Sequence, residues 1–397
     1  MPTKFSLDAA MYWVVVLLAL GVPLSTAAAS IAVGAGVLFI IIYFVRERKF
    51  PQFDKKILTV FAVYLICQLI TALTSWDVPI SLREVGGELH RFFPLLFAMT
   101  FIKNREQLSG VLIATILAAL INDAAGIWQY VVQGEPRAYG LNHTPTFFGS
   151  FMLMQFPMMI FIAQSEILSP MWKKIAMFVA GLTLICLVLS MTRGAWLSFI
   201  VMVMIFIAME ERYRLAAAKT FACLAIIFVV VVMFSGKLQD RLSTLTNANF
   251  QSNTERVLMW KSALEIFSDY PVFGIGQKMF FKAYNEQYIS PEAKERPGKD
   301  RRGHTHPHNN FLHRLSEGGL IGFASFIGLY LYFFVQFFKQ WRREKKLPFS
   351  AGLTAFLILA ALQLEGLTDT NMNQVPIMRE FWLLAGTLIA SEKILNR

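Results

Sequence analysis

Four of the six histidines lie within one short stretch, His304-Thr305-His306-Pro307-His308-Asn309-Asn310-Phe311-Leu312-His313. Imidazole titrates near neutrality, so such a cluster suits a general base. Two other readings stand beside it: a polar loop rim, and a metal site built from two or three imidazoles and a carboxylate. Alternate histidines before a proline lack the i, i+4 helical spacing of a zinc-protease motif. His308 is the best candidate base, because Pro307 suits a helix start and Asn309-Asn310-Phe311-Leu312 leads into an apolar run. That reading puts His308 at a helix N-terminus, where the dipole disfavours imidazolium and keeps a neutral base available. His304 and His306 lie further out and read as loop or substrate-contacting residues.

Two arginines complement this base. Arg193, in Ser190-Met191-Thr192-Arg193-Gly194-Ala195-Trp196, interrupts what would otherwise be consecutive apolar spans. It is either a hairpin cap that snorkels to the interface or a functional cation. Arg256 heads a helical stripe of Arg256, Met259, Trp260, Ala263 and Phe267, opposite Glu255, Ser262, Glu265 and Asp269. An arginine heading an apolar stripe points inward, toward a structural carboxylate or toward a phosphate that its charged fork can clasp. Arg137 and His143, in the loop before a further apolar run, and Asp369, just after another, are candidate substrate contacts or ordinary loop polarity. No Asp-x-Asp pair occurs. The sequence therefore lacks the carboxylates many glycosyltransferases use to hold a divalent cation against a diphosphate, which leaves arginines to neutralise one. Neither a metal nor a cofactor is expected.

The elements that position these residues are helices in a membrane. Of 397 residues, 56% are apolar and 16% charged, against roughly 25% charged in a soluble domain. Apolar runs of spanning length recur at about 9–27, 28–45, 57–75, 86–102, 109–132, 146–167, 174–191, 194–210, 217–235, 313–338, 349–367 and 376–393. The fold class is therefore an all-α polytopic membrane protein with about twelve transmembrane helices. Its spans fill residues 1–235 and 313–397, and one large external loop, residues 236–312, contains short helices and catalytic residues. The alternating segments of a membrane β-barrel are absent. The net charge of +11 comes mostly from caps beside apolar runs, which orient helices, so nucleic acid is not an expected partner. With the N-terminus inside, 20 Lys and Arg fall in cytoplasmic segments and 5 (Arg83, Arg91, Arg137, Arg193 and Arg379) in short external loops. Both termini are then cytoplasmic. The stretch ending at Ala27-Ala28-Ala29 faintly resembles a signal cleavage site but runs directly into a second apolar run, so it is read as a retained hairpin. Cys67, Cys186 and Cys223 all lie in apolar runs and read as buried packing. Gly274-Ile275-Gly276 lies in the external loop and reads as a turn rather than a phosphate cradle, and nothing on the cytoplasmic side resembles a nucleotide loop.

Three of these stretches resemble motifs of the bacterial O-antigen ligase family, which also includes O-antigen polymerases and protein O-oligosaccharyltransferases. His306-Pro307-His308-Asn309-Asn310-Phe311-Leu312 with Glu317-Gly318-Gly319-Leu320-Ile321-Gly322 is similar to the family's histidine signature. Thr192-Arg193-Gly194-Ala195-Trp196 resembles its mid-chain arginine motif. Arg256 and Trp260 with Pro271-Val272-Phe273-Gly274-Ile275-Gly276 resemble its second arginine block. The resemblance implies a bacterial inner-membrane glycosyltransferase with a periplasmic active site, a glycan donor on undecaprenyl pyrophosphate, and a sugar hydroxyl of lipid A-core as acceptor. It implies His308 as base and Arg193 and Arg256 as pyrophosphate ligands. Residues 292–302 hold five basic and three acidic side chains, Arg301 and Arg302 among them, and that balance favours an anionic acceptor. A polymerase or protein transferase shares the chemistry. A polyprenyl-glycan transporter would instead place its charges at mid-span.

Overall fold

The structure is a computed structural model and describes residues 6–141, 144–246, 251–294, 305–344 and 349–395. All regular elements among the described residues are helical. Nine helices come first: α1 (Leu7–Leu24), α2 (Thr26–Glu47), α3 (Lys55–Leu73), α4 (Val78–Phe101), α5 (Arg105–Val131), α6 (Pro145–Gln164), α7 (Pro170–Leu189), α8 (Arg193–Met209) and α9 (Arg214–Met233). Then come α10 (Gly236–Thr246), α11 (Gln251–Asp269) and the single turns α12 (Phe280–Ala283) and α13 (Pro291–Lys294), followed by α14 (Asn310–Arg343), α15 (Ala351–Glu365) and α16 (Val375–Leu395). A helix lies in each apolar run expected from the sequence.

Eight of these helices are long and apolar enough to cross a bilayer: α1, α2, α3, α5, α6, α7, α9 with the 3-10 turn before it, and α14. The short α8 and α15 are also apolar. α4 and α16 carry charges inside their length. Arg83 and Arg91 lie within α4, Arg379 within α16, and Arg193 opens α8, so four of the five arginines expected in short external loops are helical instead. Asp77 starts α4 about eight residues earlier than hydropathy suggests, by accepting from the Ile80 N–H at 3.1 Å. The cysteines also separate: Cys186 is buried, Cys67 half-buried, and Cys223 exposed on α9.

Two cores organise the chain. The larger runs through the bundle, where Trp382 of α16 meets Phe61, Phe92 and Phe333 edge-on with ring centroids 4.8–5.3 Å away. A smaller core lies beneath the long segment between α9 and α14, where Met259, Ala263 and Ile266 of α11 pack with Ile275, Met279, Phe280 and Tyr284. The buried face of α11 is turned relative to the expected stripe. Ser262, expected on the polar side, is buried and donates to the Tyr288 carbonyl at 2.5 Å, whereas Trp260 and Phe267 flank that face.

A break in α14 joins the two cores. Gly319 adopts φ 55°, and a Cβ there would strike Val272 and Gly274 backbone. The groups this break releases are satisfied by the segment before α12. Ile275 and Gly276 N–H donate to the Ser316 and Glu317 carbonyls, while Leu320 and Ile321 N–H donate to those of Pro271 and Val272. Gly274, at φ 68°, faces the same crossing. The Gly274-Ile275-Gly276 turn thus clamps backbone to backbone.

Candidate functional site

The candidate site gathers the C-terminal ends of α5, α7, α9 and α15 with the N-terminal ends of α6, α8, α14 and α16. In an up-and-down bundle those ends lie on one side. Arg137, between α5 and α6, donates through Nε to the Ser190 carbonyl (2.9 Å) and through a terminal nitrogen to Thr192 Oγ1 (3.0 Å). The Thr192 hydroxyl donates to the Pro145 carbonyl, which ties the α7–α8 turn to the start of α6. Met191 in that turn has φ 51°, a left-handed conformation unusual for a side chain other than glycine, and its carbonyl accepts from Arg241 Nε at 2.8 Å. Arg193, the first residue of α8, is buried and donates to the Thr244 carbonyl and Asn253 Oδ1 on α10 and α11.

Four guanidiniums therefore converge: Arg137, Arg193, Arg241 and Arg256. Burial, then the charges of Arg241 and Arg193, depress the Arg137 pKa to about 10. Arg241 is lowered by burial and by Arg256, and Arg256 by burial against the counter-pull of Asp369. Cations held this close, half-withdrawn from water and donating to carbonyls and amide or hydroxyl oxygens, form a site suited to a multiply charged anion.

The site also holds a histidine–aspartate pair. Asp369, between α15 and α16, lies 3.1 Å through Oδ1 from His308 Nδ1 and also accepts the Thr370 N–H at 2.7 Å. Burial pushes its carboxyl up, but the His308 hydrogen bond, the adjacent imidazoles and the Thr370 amide hold it lower. An ionised Asp369 fixes the proton on Nδ1 and leaves Nε2 as acceptor. The His308 side chain is 29% exposed and that of Asp369 14%, so the imidazole is partly accessible and the carboxylate largely covered. His306 packs on His308 with ring centroids 4.5 Å apart. Burial and the neighbouring imidazoles depress its pKa strongly.

His308 stands one residue outside the position expected for it. Asn309 is the N-cap of α14, accepting from the Phe311 and Leu312 N–H groups, and His308 precedes it with φ 50°. A left-handed histidine costs about 1–3 kcal/mol and persists only where its surroundings impose it. Here they do. The Pro307 carbonyl accepts from Trp260 Nε1 at 2.9 Å, Asn309 Nδ2 donates to the Leu367 carbonyl, and the Asn310 amide donates to that of Gly366 at 2.7 Å. The histidine is thus pinned between α11 and the α15–α16 loop.

Of the residues singled out in the sequence, Arg137, Arg193, Arg256, His306, His308 and Asp369 come together. His143, His304, Arg301 and Arg302 lie outside the described residues. Arg241 was missed, although Leu238 and Leu242 beside it mark an amphipathic turn whose apolar face docks on the bundle. Between α7, α8, α9 and α10 lies a half-open cavity of about 370 Å³ lined by apolar side chains, including Leu187, Trp196, Phe199, Phe221, Phe228 and Leu238.

The fold and site define a polytopic all-α membrane protein with a basic pocket facing a histidine–aspartate pair. Residues 178–327 match the family model described as O-Antigen ligase. That segment runs from α7 into α14 and contains Arg193, Arg241, Arg256 and His308, and the match supports assignment of the chain to this family, with a ligase- or transferase-type role in O-antigen-related biosynthesis. No curated protein matches the chain.

Proposed function

We propose that this protein is an O-antigen ligase, a metal-independent inverting glycosyltransferase of the bacterial inner membrane. It moves a glycan from undecaprenyl pyrophosphate to a sugar hydroxyl of lipid A-core on the periplasmic side. Both termini then face the cytoplasm, twelve helices span the membrane, and residues 236–312 form the periplasmic loop. The observation that carries the reading is the position of Asp369, which orients His308 and acts electrostatically on Arg137 and Arg256. It supports reading His308 as a base and the arginines as an anion clamp on either side of one reaction centre.

In this reading the acceptor hydroxyl attacks the anomeric carbon while His308 Nε2 takes its proton. The bond from that carbon to the pyrophosphate oxygen breaks, and the leaving charge falls on Arg193, Arg256, Arg241 and Arg137. One displacement from the face opposite the leaving group inverts the anomeric centre. The base contributes about 10²–10⁴ in rate, and holding two lipid-anchored substrates in register supplies much of the rest. The apolar cavity between α7, α8, α9 and α10 receives the polyprenyl chain. A lipid chain gains little hydrophobic free energy by leaving the bilayer for such a groove, so the cavity serves to aim the pyrophosphate.

Purified protein given lipid-linked glycan and lipid A-core tests the proposal. Transfer in the presence of EDTA, with inverted linkage, is the expected result. A deletion strain should accumulate long glycan chains on the carrier and bare lipopolysaccharide. Single repeats left on the carrier would identify a polymerase instead.

A further inference from the structure

The three side chains at the base side of the site have a second chemical capacity. His306, His308 and Asp369 each offer one ligand atom, and these atoms lie within 4.8 Å of one another. His306 Nδ1 is buried and makes no hydrogen bond to any described residue. A buried ring nitrogen without a partner costs free energy that a bound Lewis acid would recover. Zinc bound at about 2.0–2.2 Å by nitrogen and carboxylate oxygen holds its ligand atoms roughly 3.3 Å apart in a tetrahedron. The His308 Nδ1–Asp369 Oδ1 separation of 3.1 Å already meets that spacing, and the His306 ligand atom has to close from a separation of at most 4.8 Å. The fourth position opens toward the half-exposed face of His308, where water completes the shell.

The geometry points to a zinc site at His306, His308 and Asp369 that switches transfer off. Two imidazoles and one carboxylate suit zinc and disfavour magnesium or calcium, which prefer sets of oxygen ligands. Coordination through Nδ1 replaces its hydrogen bond to Asp369, the ring proton moves to Nε2, and no lone pair is left to take the acceptor's proton. No arginine of the clamp is a ligand, so the zinc-bound protein still holds donor. This inference rests on the reading of His308 as base only for its inhibitory consequence. Binding of the ion stands apart from it.

The test uses tag-free, full-length protein in nanodiscs, stripped with EDTA and dialysed. Titration with zinc against a chromophoric chelator should give one ion per chain, and cobalt in its place should give the visible absorption of a tetrahedral site. Magnesium should not compete. His306→Gln and Asp369→Asn should each weaken zinc binding by at least about tenfold, since each removes one of three ligands. Unchanged thermal midpoints in EDTA will show that these variants fold. Zinc should stop transfer in the unsubstituted protein without displacing donor, and EDTA should restore it. Zinc binding that both variants retain, or the absence of stoichiometric binding, overturns the site. Transfer that requires zinc overturns the inhibitory role. Stoichiometric zinc on a protein that transfers nothing in EDTA would leave the site standing and remove the proposed function instead.

Discussion

Two charged regions lie side by side at this end of the bundle and are built on opposite plans. In the first, between α3, α4 and α14, buried charges are matched. Glu88 is engaged by Arg314 and accepts the Tyr64 hydroxyl at 2.8 Å, Arg91 pairs with Glu84, and Arg314 also reaches Asn373 at 2.6 Å. His313 is held 3.1 Å from Glu317 and bonded to Asn373. In the second, Arg137, Arg193, Arg241 and Arg256 face one another, and the carboxylate that pulls on two of them is already engaged by His308. Matched charges lock a helix register and leave nothing over for a ligand. Like charges brought together cost free energy that an arriving anion would offset, which supports reading the second region as a binding site rather than a brace.

The contrast can be broken or sharpened by substitution. The largest effect is expected at the base: His308→Ala should lower transfer about 10²–10⁴-fold with donor binding intact. Near-normal turnover in that variant, with His306→Ala inactive, would move the base to His306. Stability should separate the two regions next. Arg314→Ala leaves buried Glu88 only the Tyr64 hydroxyl and the longer Arg91 pair and should cost about 3 kcal/mol, whereas Arg241→Ser removes a like charge and should stay within about 1 kcal/mol of the parent. Equal losses in thermal unfolding would mean that the arginine cluster is also structural.

Anion binding gives the third comparison. Inorganic pyrophosphate at a hundredfold excess over its Kd should stabilise the parent protein by about 2.7 kcal/mol. Arg193→Lys and Arg256→Lys should blunt that shift and lower transfer by about 10²–10³-fold, because lysine keeps charge but loses the bidentate fork. Full rescue by lysine would reduce the clamp to simple neutralisation. The smallest effect is expected from Asp369→Asn, which leaves the His308 ring in place but no longer fixes its tautomer. A loss of about 10–100-fold in kcat with KM for donor little changed is expected. A loss confined to KM would make Asp369 part of the clamp alone.

Much of this architecture is legible in the chain because a bilayer is a severe solvent. A backbone group without an internal partner is so costly in lipid that apolar runs must be helical, and helices fill all the expected runs. Hydropathy nevertheless misplaced the start of α4 and the arginines of α4 and α16. It counts a charge as exposed, and cannot know that Glu88 will find Arg314 226 residues away. His308, Arg193 and Arg256 were legible from residue type and setting: a titrating ring before a helix, and cations where apolar neighbours leave no local reason for them. Their meeting was not, nor was Arg241, one base among the many in its loop. Whether four guanidiniums share a pocket, or a histidine is pinned at φ 50° against an aspartate 61 residues later, depends on which helix ends pack together. Periodicity along the chain reports which face of a helix is apolar, but carries no distance between one helix end and another, and that distance is set only when the bundle closes.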